Sequence, residues 1–153
     1  MSTIYSQLIT KKYKKEQELM PVTKGMHHLG LAVKDLYKSA QFFTEILGWQ
    51  ESGYDETYPR TAVSDGVIRL TLWQVENQLE AVAFNRKSNI GLHHLALEVE
   101  EEIMLIELFE KLKGIANVDI EFPPELLGAG PRKHFMCNEP GGIRIEFIWS
   151  GVK

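Results

Sequence analysis

The chain writes one short segment twice: MHHLGLAV at residues 26–33 returns as LHHLALEV at 92–99. A repeat of this period dictates architecture, because each copy is a supersecondary unit that must bury its apolar face against a neighbour. Sliding the sequence by 66 residues superposes the two segments and carries Gly48 onto Gly114. Between those landmarks both copies predict a helix. In the first, Asp35 is the candidate N-cap, Leu36, Ala40, Phe43 and Leu47 recur at helical spacing, and Gly48 is the stop. In the second, Glu100, Glu101 and Glu102 favour the positive helix start, while Leu105, Leu108, Phe109 and Leu112 form the stripe before Gly114.

Strand-like segments follow each helix: WQESGY, RTAVSD and GVIRLTLWQV in the first copy, NVDIEF, RKHFMCN and GIRIEFIW in the second. The closing strands align at an offset of 75, so the second copy carries nine extra residues, matching the loop-forming stretch PPELLGAGP at 123–131. The fold expected is α+β: two tandem β-α-β-β-β modules in one domain over 26–150, forming an open, cup-like mixed barrel. Module one takes 26–75, a linker 76–90 and module two 91–150. Residues 1–25 form an N-terminal extension, with helical character around Ile4 to Leu19.

Side chains alternate faces along a strand, so parity decides which groups can meet. Leu29, Leu31 and Val33 share one face and His28, Gly30 and Ala32 the other; Leu95, Leu97 and Val99 likewise oppose His94, Ala96 and Glu98. The Leu and Val faces must cover the helices, which leaves His28 and His94 on the faces that do not. In the closing strands Arg144, Glu146 and Ile148, and Arg69, Thr71 and Trp73, fall on the same side as the histidines. If the copies form one curved sheet, its hollow holds His28, His94, Glu146, Arg69, Thr71, Trp73 and Arg144.

Two imidazoles and one carboxylate converging with open positions form a site for a divalent first-row metal: Fe, Mn, Zn or Ni. His28, His94 and Glu146 are the candidate ligands. Arg69, Thr71, Trp73 and Arg144 are the candidate substrate contacts, the arginines because guanidinium forks match carboxylate and phosphate. Arg144 alternatively pairs with Glu98. His27 and His93 point toward the helix side or the strand ends. His134, whose partner at the 75-residue offset is Pro59, is expected behind the ligands or against substrate.

Composition excludes several other classes. A formal net charge of -4 gives no footprint for nucleic acid, and the basic run Lys11, Lys12, Lys14 and Lys15 is followed directly by Glu16 and Glu18. One cysteine, Cys137, excludes an intrachain disulfide and is expected as an inert buried thiol. No apolar run reaches the length of a membrane span or a signal peptide, so a cytoplasmic protein without membrane contact is expected.

Three segments, HLGLAVKDLYKSAQFFTEILGW, GLHHLALEV and FMCNEPGGIRIEF, together resemble the vicinal oxygen chelate superfamily over residues 26 to 150. That superfamily includes glyoxalase I, extradiol dioxygenases, and fosfomycin- and bleomycin-resistance proteins. The resemblance implies paired modules around one metal that activates a substrate through vicinal oxygens, with His28, His94 and Glu146 as ligands. Thr71 stands where glyoxalase I has a fourth ligand, and Met136 where the extradiol enzymes have a tyrosine. It implies a metal enzyme with lyase, isomerase or dioxygenase chemistry on a small, oxygen-rich substrate, and a homodimer. The alternative is a non-catalytic small-molecule binder of the bleomycin-resistance type.

Overall fold

The computed structural model describes residues 21–151, so the helical character expected around Ile4 to Leu19 lies outside the described residues. Each copy of the repeat builds one sheet. The first contains β1 (Leu29–Val33), β2 (Gln50–Asp55), β3 (Arg60–Ser64) and β4 (Arg69–Gln74), in the order β1-β4-β3-β2. The second contains β5 (Leu95–Glu98), β6 (Asp119–Leu126), β7 (Lys133–Asn138) and β8 (Arg144–Trp149), in the order β5-β8-β7-β6. First and last strands pair in parallel in each sheet, and the other neighbours are antiparallel. The architecture is α+β with two unclosed mixed sheets.

Helix α1 (Leu36–Gln41) begins where Asp35 accepts from the Lys38 amide at 3.1 Å, and helix α2 spans Glu102–Lys113. The first helix is not α-helical throughout. It widens into a π-helical turn over Phe42–Ile46 before Gly48, whose φ of 75° ends it. Two consecutive residues of this turn, Phe42 and Phe43, lie fully in the core. A second departure is in β6, which runs on through Pro123 and Pro124 to Leu126, part of the stretch expected as loop. Prolines are tolerated there because β6 is an edge strand with irregular register.

The core is continuous across both copies: Leu31, Val33, Phe43, Leu70 and Leu72 pack in one cluster with Leu97, Leu105, Phe135 and Phe147. Each sheet therefore turns its helix-covered face inward. Gly30, Ala32, Ala96 and Glu98, on the opposite faces, are exposed. Cys137 is buried, and burial pushes its thiol up to about 12, which leaves it inert at neutral pH. No helix among the described residues is long and apolar enough to cross a membrane.

The two copies are pinned together by the turn between β7 and β8. The Lys34 amide, at the end of β1, donates to the Gly141 carbonyl at 3.0 Å. Beside it Glu139 is 2% exposed; its Oε1 accepts from the Ile143 amide at 2.9 Å, while Oε2 and the neighbouring Ser39 hydroxyl, both buried, have no partner at hydrogen-bond geometry among the described residues. Burial pushes the Glu139 carboxyl above the usual carboxylate range. With its pKa raised on folding, the native state binds more protons. The stabilisation is fully present below the unfolded carboxyl pKa and is lost as pH rises through the native one. Glu139→Gln, which places a permanent donor near Oε2, is expected to flatten this fall. Urea midpoints across pH 4 to 8 test it; parallel curves for the two proteins would remove the assignment.

Candidate metal centre

The registers make the equivalence of the copies exact at the ligand positions. Gly30 lies opposite Thr71 in the first sheet, and Ala96 lies opposite Glu146 in the second. Thr71 and Glu146 are thus counterparts, as are His28 and His94, each two residues before the small residue. The equivalence extends to the doubled histidines. His27 Nδ1 and His28 Nδ1 are 2.8 Å apart, and so are His93 Nδ1 and His94 Nδ1, with ring centroids 5.1 Å apart in both pairs. In each pair one ring Nδ1–H donates to the Nδ1 of the other. His27 and His93 are exposed and buttress their neighbours.

In the second module the site is assembled. His94 Nε2 lies 3.1 Å from Glu146 Oε2, and His134 Nδ1 contacts the other oxygen, Oε1. Glu146 is 9% exposed, with Met136 opposite it on β7. A carboxylate buried to that degree needs polar partners: the His134 ring donates to one oxygen, and the His94 ring stands within ion-pair distance of the other. In the first module Thr71 takes the equivalent place, and its hydroxyl accepts from the Trp73 indole N–H at 3.0 Å. His28 is exposed on the first sheet and does not join the cluster.

Among the described residues, no group of three or more His, Cys, Asp and Glu side chains is placed to hold a metal ion. The chemistry of the donors fits a divalent metal, but one chain brings together only His94 and Glu146 of the expected three. The group that does gather, His94, Glu146 and His134, is arranged nitrogen against oxygen and not around a common centre.

His134 is the residue whose place the sequence offset misjudged. Its cross-strand partner is Ile148, and the counterpart pair in the first sheet is Arg60 with Trp73. The counterpart of His134 is therefore Arg60, because the link from Asn138 to Arg144 is one residue longer than that from Ser64 to Arg69.

The candidate substrate contacts divide. Arg144 does not meet Glu98: its Nε and Nη2 donate to the two oxygens of Glu121, both at 2.8 Å. Hydrogen bonding from Arg144 holds the Glu121 carboxyl below the usual range. Asn138 completes the network at 3.3 Å. Glu121 carried no sequence signal, since only register reveals that a side chain two strands away reaches it. Arg69 is exposed. Trp73 packs on Tyr58 with ring centroids 4.9 Å apart, and the Arg60 guanidinium lies 5.3 Å from its ring.

Residues 25–147 match the family model of the Glyoxalase/Bleomycin resistance protein/Dioxygenase superfamily. A glyoxylase/bleomycin resistance protein/dioxygenase domain from Frankia sp. EAN1pec is 25% identical, covering 84% of this chain and 93% of that one, with a TM-score of 0.71. A glyoxalase-related enzyme from Fulvimarina pelagi is 24% identical over 83% of this chain and 88% of its own, with a TM-score of 0.64. The fosfomycin resistance protein FosX from Listeria monocytogenes shares the fold at 18% identity, over 86% and 97% of the two chains, with a TM-score of 0.65. No curated protein matches the chain in sequence.

Proposed function

We propose, for a chain that belongs to the Glyoxalase/Bleomycin resistance protein/Dioxygenase superfamily, that it is a metal-dependent enzyme whose centre forms between two copies. His94 and Glu146 of one copy and His28 of a second hold the ion. The observation that carries this reading is the separation of equivalents: His94 has its carboxylate within one sheet, while in the sheet that His28 leads into, the place of that carboxylate is held by Thr71. Both faces look away from the shared core, so their groups meet only if another molecule brings them together. Among the described residues, strands β1 and β5 lie at sheet edges with one strand neighbour each, and a two-fold pair of chains sets edge against edge twice, giving two identical sites.

When bound, the ion supplies Lewis-acid polarisation of a carbonyl or enediolate oxygen. The chain's residues bind and orient. Arg69, exposed beside Thr71, presents a guanidinium for an anionic group, whereas Arg144 is engaged by Glu121. Trp73, backed by Tyr58 and Arg60, forms an aromatic wall. The substrate class that suits these groups is a small, oxygen-rich anion.

A second reading rests on the contacts of Glu146, whose two oxygens each have an imidazole nitrogen beside them without any ion. That favours a binding cup of the bleomycin-resistance type. Metal analysis of protein purified without chelator separates the two. The enzyme reading expects near-stoichiometric metal that is lost in Glu146→Ala. Trace metal, equal in wild type and variant, would leave the binder.

A further inference from the structure

Resting on the metal site proposed above, we infer that His134 is a positioning residue that ties down one oxygen of Glu146 and leaves the other to the ion. A carboxylate beside a cation can bind through one oxygen or through both, and rotation of its terminal torsion interconverts the two. Here the torsion is held. His134 Nδ1–H donates to Oε1 from β7, and Oε2 is the oxygen turned to His94.

The ring that does this is itself fixed. The His134 side chain is 12% exposed and packs edge-on to Phe122 with centroids 5.1 Å apart. Its other nitrogen, Nε2, looks toward Glu125 Oε1 at 3.9 Å, so a flipped ring would set carbon atoms against both carboxylates. Lying directly across from Ile148, which is two residues past Glu146 on β8, it reaches the carboxylate diagonally across the strand pair.

Where the first module has Thr71 in place of the glutamate, the counterpart of His134 is Arg60, which turns to Asp55 at 3.6 Å and to the Trp73 ring. The imidazole stands only in the module that has a carboxylate to hold.

Groups behind metal ligands, when removed, lower metal affinity by about 10–100-fold. His134→Leu, which keeps the packing on Phe122 and deletes the donor, is expected to bind Co(II) that much more weakly in competition with a chelator. It should also change the visible Co(II) absorption, because the carboxylate is released to bind through both oxygens. His134→Asn, whose amide reaches the place of Nδ1, is expected to restore most of the affinity and the wild-type spectrum. A His134→Leu protein with wild-type affinity and spectrum overturns the inference while leaving the metal site standing. Equal loss in His134→Leu and His134→Asn overturns it as well, since the donor is then not what matters. A wild-type protein that takes up no Co(II) removes the metal site itself, and this role with it.

Discussion

His28→Ala and His94→Ala proteins, each purified alone, are expected to hold almost no metal, and a mixed dimer of the two to regain half of the wild-type content. The expectation follows from where the ligands sit. Each proposed site takes His28 from one copy and the His94–Glu146 pair, 3.1 Å apart, from the other. In a mixed dimer one site carries both substitutions and the other carries neither. Were each site built within a single chain, every site of the mixed dimer would lack one imidazole, and no metal would return. The loss in each parent should exceed the roughly 10–100-fold penalty of removing a group behind the ligands, because the open site has only three protein donors. Differently tagged chains, co-expressed and isolated as the mixed species, give the sample; metal per dimer is the readout. A mixed dimer as empty as its parents would end the shared-site proposal.

Parity made much of this legible in the sequence. The alternation of Leu31 and Val33 against Gly30 and Ala32, and of Leu95 and Leu97 against Ala96 and Glu98, appears in the structure as buried against exposed. Asp35 as N-cap and the strand segments were readable for the same reason: they depend on neighbours in sequence. What could not be read depends on partners across strands. Arg144 reaches Glu121 over the intervening β7, and nothing in local spacing distinguishes that partner from Glu98. One additional residue in the β7–β8 link moved His134 from the counterpart of Pro59 to that of Arg60, and so hid its alignment with the carboxylate. Parity also states which residues share a face without stating which faces oppose each other. The shared core settles that within one chain: the two histidine faces point outward.

The junction that sets this outward arrangement rests on one glycine, and Gly141→Ala is expected to destabilise the protein by about 3 kcal/mol, the upper range for overpacking. Two adjacent glycines in the β7–β8 turn serve different ends. Gly142 has φ of 96° and open space around it, so its replacement by alanine meets only backbone strain, of order 1 kcal/mol. Gly141 needs no unusual torsion but has no room. A Cβ there would lie 2.0 Å from Ser39 Oγ, 2.8 Å from Glu139 Oε1 and 2.9 Å from Val33 Cβ. The serine can rotate, yet Ser39 is itself fully buried, and the Val33 Cβ is anchored to the backbone of β1. The clash therefore separates the copies: it pushes β1 from the turn, lengthens the Lys34–Gly141 hydrogen bond and disturbs the buried Glu139. Ser39→Ala in the same chain removes the nearest obstacle and should recover part of the loss, an interaction measurable as a double-mutant coupling. Urea unfolding of the three single variants and the double variant supplies the numbers. Gly141→Ala no more harmful than Gly142→Ala would show that the junction yields, and that the relative placement of the two sheets is not held by this contact.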